Sequence, residues 1–137
     1  MVYVTRRETF NAAHKLHRND WSDAKNIEIF GACANPNWHG HNYVLFVTVK
    51  AKTETGTGFV MNLKTLSSIV RKNIIDIVDH KNLNLDVPFM KDILPSAENV
   101  AIAFWKVLEP HIAKEGCKLH SIRLQETENN SVEYFGE

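Results

Sequence analysis

Within Cys33-Ala-Asn-Pro-Asn-Trp-His39-Gly-His41-Asn42, two histidines stand at i, i+2, and a cysteine lies six residues before the first. The run that follows, Tyr43-Val-Leu-Phe-Val-Thr-Val49, is β-branched and aromatic and predicts a strand. Side chains two apart on a strand share a face, so His39 and His41 project together. Two imidazoles on one face are half of a first-row metal site, with zinc the first choice for a nitrogen-rich set. A surface His-Gly-His turn without a ligand is the alternative on spacing alone.

The elements that must position this pair extend the set. Val2, Val4, Phe10, Ala12 and His14 share one parity of a strand over residues 2–14. Arg6 and Glu8 interrupt that face, which predicts partial burial or a bulge. If this strand and a second over about 39–52 pair as an antiparallel hairpin, His14 arrives at the same mouth as His39 and His41. Three histidines leave a fourth zinc position open, as in catalytic rather than structural sites. Residues 15–37 show no sustained period and are expected to be a loop of the length that usually serves function.

Downstream, Thr55-Gly-Thr-Gly58 marks a turn, and residues 59–61 a short strand. Asn62 caps an amphipathic helix carrying Leu63, Leu66, Ile69, Val70, Ile74, Ile77 and Val78. It closes at Asp79-His80, a capping pair or an acid–base dyad in which the carboxylate orients the imidazole. Ser96 caps a second helix, with Glu98 in its first turn and an end near Gly116. Two final strands, 118–127 and 132–135, form a hairpin turning at 128–131. Glu126 ends the first of them without a local cationic partner. It lies on a different strand from the histidines, so metal binding is expected not to depend on it.

Consecutive strands flanking two consecutive helices predict an α+β fold, an antiparallel β-sheet with two helices packed on one face. At 137 residues, 44% hydrophobic and 23% charged, one domain over 1–137 is expected. Sixteen basic and sixteen acidic residues cancel, so neither nucleic acid nor an anionic membrane is an expected partner. Two cysteines are too few for a disulfide framework and imply a reduced, cytoplasmic protein. His17, His111 and His120 read as surface histidines, and Cys117 as a small buried filler.

Taken together, Phe10-Asn-Ala-Ala-His14, the Cys33–Tyr43 segment, Asp79-His-Lys-Asn-Leu83, Glu98-Asn-Val100 and Glu126-Thr-Glu-Asn-Asn130 resemble the 6-pyruvoyl-tetrahydropterin and 6-carboxytetrahydropterin synthase family. The resemblance implies the T-fold, which oligomerises into a barrel-like trimer, paired into a hexamer with active sites between subunits. It implies a pterin substrate, 7,8-dihydroneopterin triphosphate, from which a zinc-dependent lyase eliminates triphosphate with internal redox. His14, His39 and His41 then resemble the zinc ligands, Cys33 the catalytic thiol, and Asp79 and His80 the second acid–base group. Glu126 resembles the pterin anchor, with Ser96 and Glu98 beside the substrate and Mg2+ accompanying its triphosphate. The six-residue advance from Cys33 to His39 resembles the pyruvoyl branch. The carboxy branch, of queuosine and deazapurine synthesis, often has a shorter one. A non-catalytic pterin-binding module would be expected to lack Cys33 or the dyad, and both are present. Two positions depart from the family pattern: Ala97 where a hydroxyl is common, and Trp38 where glycine is common.

Overall fold

Strand β1 (Val2–His14) and strand β2 (His39–Ala51) form an unbroken antiparallel ladder from Val2↔Ala51 to His14↔His39. The computed structural model describes residues 1–137. Around that ladder a five-stranded sheet is ordered β3-β1-β2-β4-β5, with β3 Lys81–Asn82, β4 Lys118–Thr127 and β5 Asn130–Tyr134. The architecture is α+β. The sheet is mixed rather than purely antiparallel, because β3 runs parallel to β1. Those two residues lie where the sequence predicted only the close of a helix. His80 N–H donates to Asn11 O, and Leu83 N–H to Ala13 O, drawing the segment onto the free edge of β1.

Alternation holds along β2, where Tyr43, Leu45, Val47 and Val49 are buried. On β1 no bulge interrupts the parity. Glu8 is instead buried in register, receiving Arg6 at 2.9 Å, Ser67 at 2.8 Å and Arg71 at 3.0 Å. A buried carboxylate is tolerable only with such partners. On β4, a register shift against Thr48–Val49 lets Leu119 and Ile122 face the same core.

Helix α2 (Leu63–Val70) starts at Asn62, whose side chain accepts the Lys64 N–H. It continues through a π segment, Arg71–Ile75, into a last turn, α3 (Asp76–Val78). Helix α4 (Ala97–Lys114) starts at Ser96, whose hydroxyl accepts the Asn99 N–H, and ends before Gly116 at φ 75°. Leu66, Val70 and Ile74 join Val100, Phe104, Leu108 and Ile112 in one core with the buried strand residues. The other sheet face stays exposed, with Thr5 paired to Thr48 and Asn11 to Asn42.

Other expectations fail as well. Residues 15–37 are not an unstructured loop: they hold α1 (Asp23–Phe30), capped by Ser22, and a 3-10 turn over Gly31–Ala34. This helix buries only Asn26, leaving Ile27 and Ile29 exposed, so no apolar stripe announced it. The strand expected at residues 59–61 does not form. The final hairpin turns more tightly than expected, over Glu128 and Asn129.

Candidate active site

His14 and His39 face each other directly across the ladder, and His41 follows two residues along β2. One ligand atom from each of the three lies within 4.8 Å of the others. Gly40 separates the pair on β2; a Cβ there would stand 3.2 Å from Ala12 O, closer than ordinary packing. His14 is buried, and its Nδ1 lies 2.8 Å from Pro95 O, the residue before the cap of α4. A carbonyl only accepts, so Nδ1 carries the proton and Nε2 is left with its lone pair. Nε2 of His14 and Nε2 of His41 are both buried without a hydrogen-bond partner. Burial holds both imidazoles below their ordinary pKa, and so neutral. A free lone pair on His14 and unpartnered ring nitrogens on the neutral histidines beside it fit a bound cation such as zinc.

A cavity of about 200 Å³ opens beside this corner. His14, Cys33, Ser96, Glu98 and Glu126 line it, with Asn130 and Ser131 of β5. The structure therefore brings together five of the expected site residues beside His39 and His41. Glu126 is not remote from the metal corner, as its separate strand had suggested. Its Oε1 lies 3.7 Å from His41 Nε2 and its Oε2 3.9 Å from His14 Nε2. The β4–β5 register shifts between Gln125 and Thr127, and Glu126 is the extra residue. Bulges of this kind re-aim a side chain.

Asp79 and His80 do not line the cavity. They sit on the outer edge of β1, where Asp79 Oδ1 accepts the Asn11 N–H at 2.8 Å. Asp79 Oδ2 lies 3.0 Å from His80 Nδ1. The Asn11 amide, then His80, hold the Asp79 carboxyl below its usual range. The His80 side chain is 82% exposed, on a backbone at φ 59°. Within one chain the dyad and the thiol are separate.

Two contributions to this region, the Tyr43 hydroxyl and the Asn84 side chain, escaped the sequence reading. Tyr43 stacks on Phe10 at 4.7 Å beneath the histidines, its hydroxyl buried with no partner. Burial, then the Glu126 and Cys33 charges, push its phenol far up, so it stays protonated. Asn84 bonds both the N–H and the C=O of Lys15 at 3.0 Å, pinning the chain just after His14. Trp38 takes φ 66°, the left-handed region in which glycine is unstrained, with Lys15 Nζ 4.7 Å from its ring centroid. Of the remaining histidines, His17 faces Asp23 at 3.6 Å, and His120 packs edge-on to Tyr3. Cys117 is the expected buried filler, its thiol donating to Val60 O. A larger groove of about 480 Å³, beside Val2, Val4 and Phe59, carries none of the site residues. No helix is long and apolar enough to cross a membrane.

Three convergent histidines that could hold a metal ion stand beside a cavity lined by a thiol and two carboxylates, the make-up of a small-molecule active site with acid–base groups. The comparisons name the group. The model of the 6-pyruvoyl tetrahydropterin synthase family matches residues 3–137, and the chain belongs to that family. It is 43% identical over 134 residues to 6-pyruvoyl tetrahydrobiopterin synthase of Pongo abelii, covering 98% of this chain and 91% of the relative. The solved structure of Caenorhabditis elegans 6-pyruvoyl tetrahydropterin synthase superposes with a TM-score of 0.92 at 38% identity, covering 99% of this chain and 96% of that one. A 6-carboxy-5,6,7,8-tetrahydropterin synthase of Rickettsia typhi is 26% identical over 152 residues, covering 97% and 99%. The pyruvoyl type of lyase is thus the favoured one.

Proposed function

We propose that the chain, as one T-fold domain over 1–137, is a zinc-dependent carbon–oxygen lyase. Its substrate is 7,8-dihydroneopterin triphosphate and its product 6-pyruvoyl-tetrahydropterin, with triphosphate released. The observation that carries this reading is the pair of buried, unpartnered Nε2 atoms of His14 and His41, converging with His39 on a cavity lined by Cys33, Glu98 and Glu126.

His14, His39 and His41 would hold the zinc, which when bound supplies Lewis-acid polarisation of the substrate's side-chain hydroxyls. Cys33, on the 3-10 turn at the cavity wall, removes a carbon-bound proton as general base. His80, oriented by Asp79, returns and removes protons on the opposite face of the side chain. Glu98 and Glu126 offer carboxylate acceptors to ring N–H groups, and Ser96 lies at the same wall. Triphosphate departs with the electron pair of its C–O bond, and Mg2+ accompanies its charge. The internal redox moves hydrogen within the substrate, so no external redox cofactor takes part.

Because Asp79 and His80 lie outside the cavity that holds Cys33, the reading assigns them to a neighbouring subunit's site. That supports a barrel-like trimer and a hexamer built from two of them. The free edge of β1, beyond the two residues covered by β3, is available for such pairing. Two free thiols suit a reducing, cytoplasmic setting.

Incubating the purified protein with 7,8-dihydroneopterin triphosphate and identifying the products tests the reading. A pyruvoyl pterin with stoichiometric triphosphate is expected. A carboxy pterin with acetaldehyde would reassign the chain to the queuosine and deazapurine branch. Binding without turnover would make it a pterin-binding module.

A further inference from the structure

Glu126 faces the histidines in a way that ring anchoring alone does not require. We infer that in the substrate-free enzyme the Glu126 carboxylate is the fourth ligand of the metal, and that a pterin ring draws it away. The inference rests on the zinc reading above and concerns what closes that site.

The argument starts from which atoms can donate. His14 Nδ1 is committed as a donor to Pro95 O at 2.8 Å, so its Nε2 presents a lone pair. The carboxylate oxygen 3.9 Å away also presents only lone pairs. Two acceptors face each other across a gap from which no donor of this chain bonds the imidazole, since Nε2 has no hydrogen-bond partner. At His41 the Nε2 is likewise unpartnered, 3.7 Å from the other carboxylate oxygen. The acceptor pair at His14 repels unless a cation stands between the groups. Ligand atoms on one tetrahedral zinc stand about 3.3–3.6 Å apart, given Zn–N and Zn–O lengths of ~2.0–2.2 Å. The observed 3.7 and 3.9 Å exceed that by an amount that a small turn of the glutamate side chain removes. Side-chain exposure of 2% for His14, 18% for His41 and 22% for Glu126 makes the corner largely dry, where an acceptor pair without a cation is most costly.

Both carboxylate oxygens are turned to the histidines, one to each. A glutamate that ligates the metal through one oxygen keeps acceptor sites on the other, but its charge and one of the two oxygens are committed to the cation. Ligating the metal and anchoring two ring N–H groups therefore compete, and ring binding draws the carboxylate off the metal position. The bulge at Glu126 gives the side chain its reach toward the metal corner from a strand that does not carry the histidines.

Zinc affinity is measured by competition with a chromophoric chelator, and unsubstituted pterin, which lacks side-chain oxygens, serves as the ring probe. Glu126→Ala is expected to weaken zinc binding by at least about tenfold, the scale of lost ligand-shell support. Glu126→Gln, which keeps the volume, should show a loss in the same direction and guards against misfolding of the alanine variant. Pterin should bind the metal-free parent several-fold more tightly than the zinc-loaded parent, and by linkage should weaken zinc by the same factor. With Co2+ in place of zinc, the visible absorption of the parent should change on adding pterin. Undiminished zinc affinity in both Glu126 variants overturns the inference, as does equal pterin affinity with and without metal. Undiminished zinc in His39→Ala would instead overturn the zinc reading beneath it.

Discussion

The histidine corner and the Asp79–His80 turn hang from the same strand yet are built in opposite ways. His14, on the core-facing side of β1, is buried, is fixed by Pro95 and meets its two fellow histidines within the chain. Three residues earlier, the backbone of Asn11 holds Asp79 and His80 on the open edge, where the imidazole is largely in solvent. Buried ring nitrogens without a protein partner suit the binding of an ion. A rigidly held but exposed dyad suits a site walled from outside the chain. The first can be completed by a metal, the second by another subunit.

The largest expected effect separates the two regions by what each loses. His41→Ala and His80→Ala should both cut turnover, a general acid–base group typically contributing ~10²–10⁴-fold. Metal analysis should show zinc lost in His41→Ala and retained in His80→Ala. Equal zinc loss in both would dissolve the distinction.

Mixing sharpens it further. Cys33→Ala and His80→Ala, each nearly inactive alone, should regain a measurable fraction of parental turnover when unfolded and reassembled together. Mixed assemblies then contain some sites with both groups intact. No recovery, with mixed oligomers verified by mass spectrometry, would put the thiol and the dyad in one chain's site.

Glu8 tests the dyad's support from the other end. It holds Ser67 of α2 and Arg71, the first residue of the π segment that leads to Asp79. Glu8→Ala should cost about 2 kcal/mol in denaturant unfolding, the scale of hydrogen bonds to a buried charge, with zinc content unchanged. Burial alone would raise this carboxyl, but the Ser67 and Arg6 hydrogen bonds, the Arg6 charge and Arg71 outweigh it and hold the pKa below 4.5. A group lowered in the folded state stabilises fully above its unfolded value, and that contribution is lost as pH falls through the folded one. The parent should therefore lose stability below about pH 4.5 more steeply than Glu8→Gln. Parallel acid limbs would remove Glu8 from the account.

The smallest effect belongs to Trp38, beside the metal corner. Trp38→Gly relieves a left-handed backbone worth about 1 kcal/mol and removes a Lys15 cation–π contact of about 0.5–1 kcal/mol. The melting temperature should move by no more than a few degrees and zinc should stay bound. A large drop would make the indole a packing element rather than a tolerated substitution.

What was legible in the sequence follows from periodicity. The alternation of β2 placed His39, His41 and Tyr43 on one face, and the caps Asn62 and Ser96 placed both long helices. Helix α1 escaped because its buried residue is Asn26, which bonds Arg18 and Ser22 instead of joining an apolar stripe. Only the Ser22-Asp23 cap announced it. The bulge at Glu126 and the two-residue β3 are register events between distant segments, and no local pattern encodes them. Hence the histidine triad could be anticipated from hairpin geometry, while Glu126's approach to it could not. The role of the dyad came from resemblance, and the structure adds its position.

The bond from His14 Nδ1 to Pro95 O joins residues 81 apart in the chain. Its consequence lies in the order of assembly. The β1–β2 ladder can bring the three imidazoles together once one loop of 24 residues has closed. Until the start of α4 docks, however, nothing in that hairpin dictates which His14 nitrogen keeps its proton, and both tautomers compete. The three rings are thus gathered by the hairpin alone, whereas the proton position on His14 is set only with the start of α4 in place. Any selectivity of that corner is shared between two distant parts of the chain.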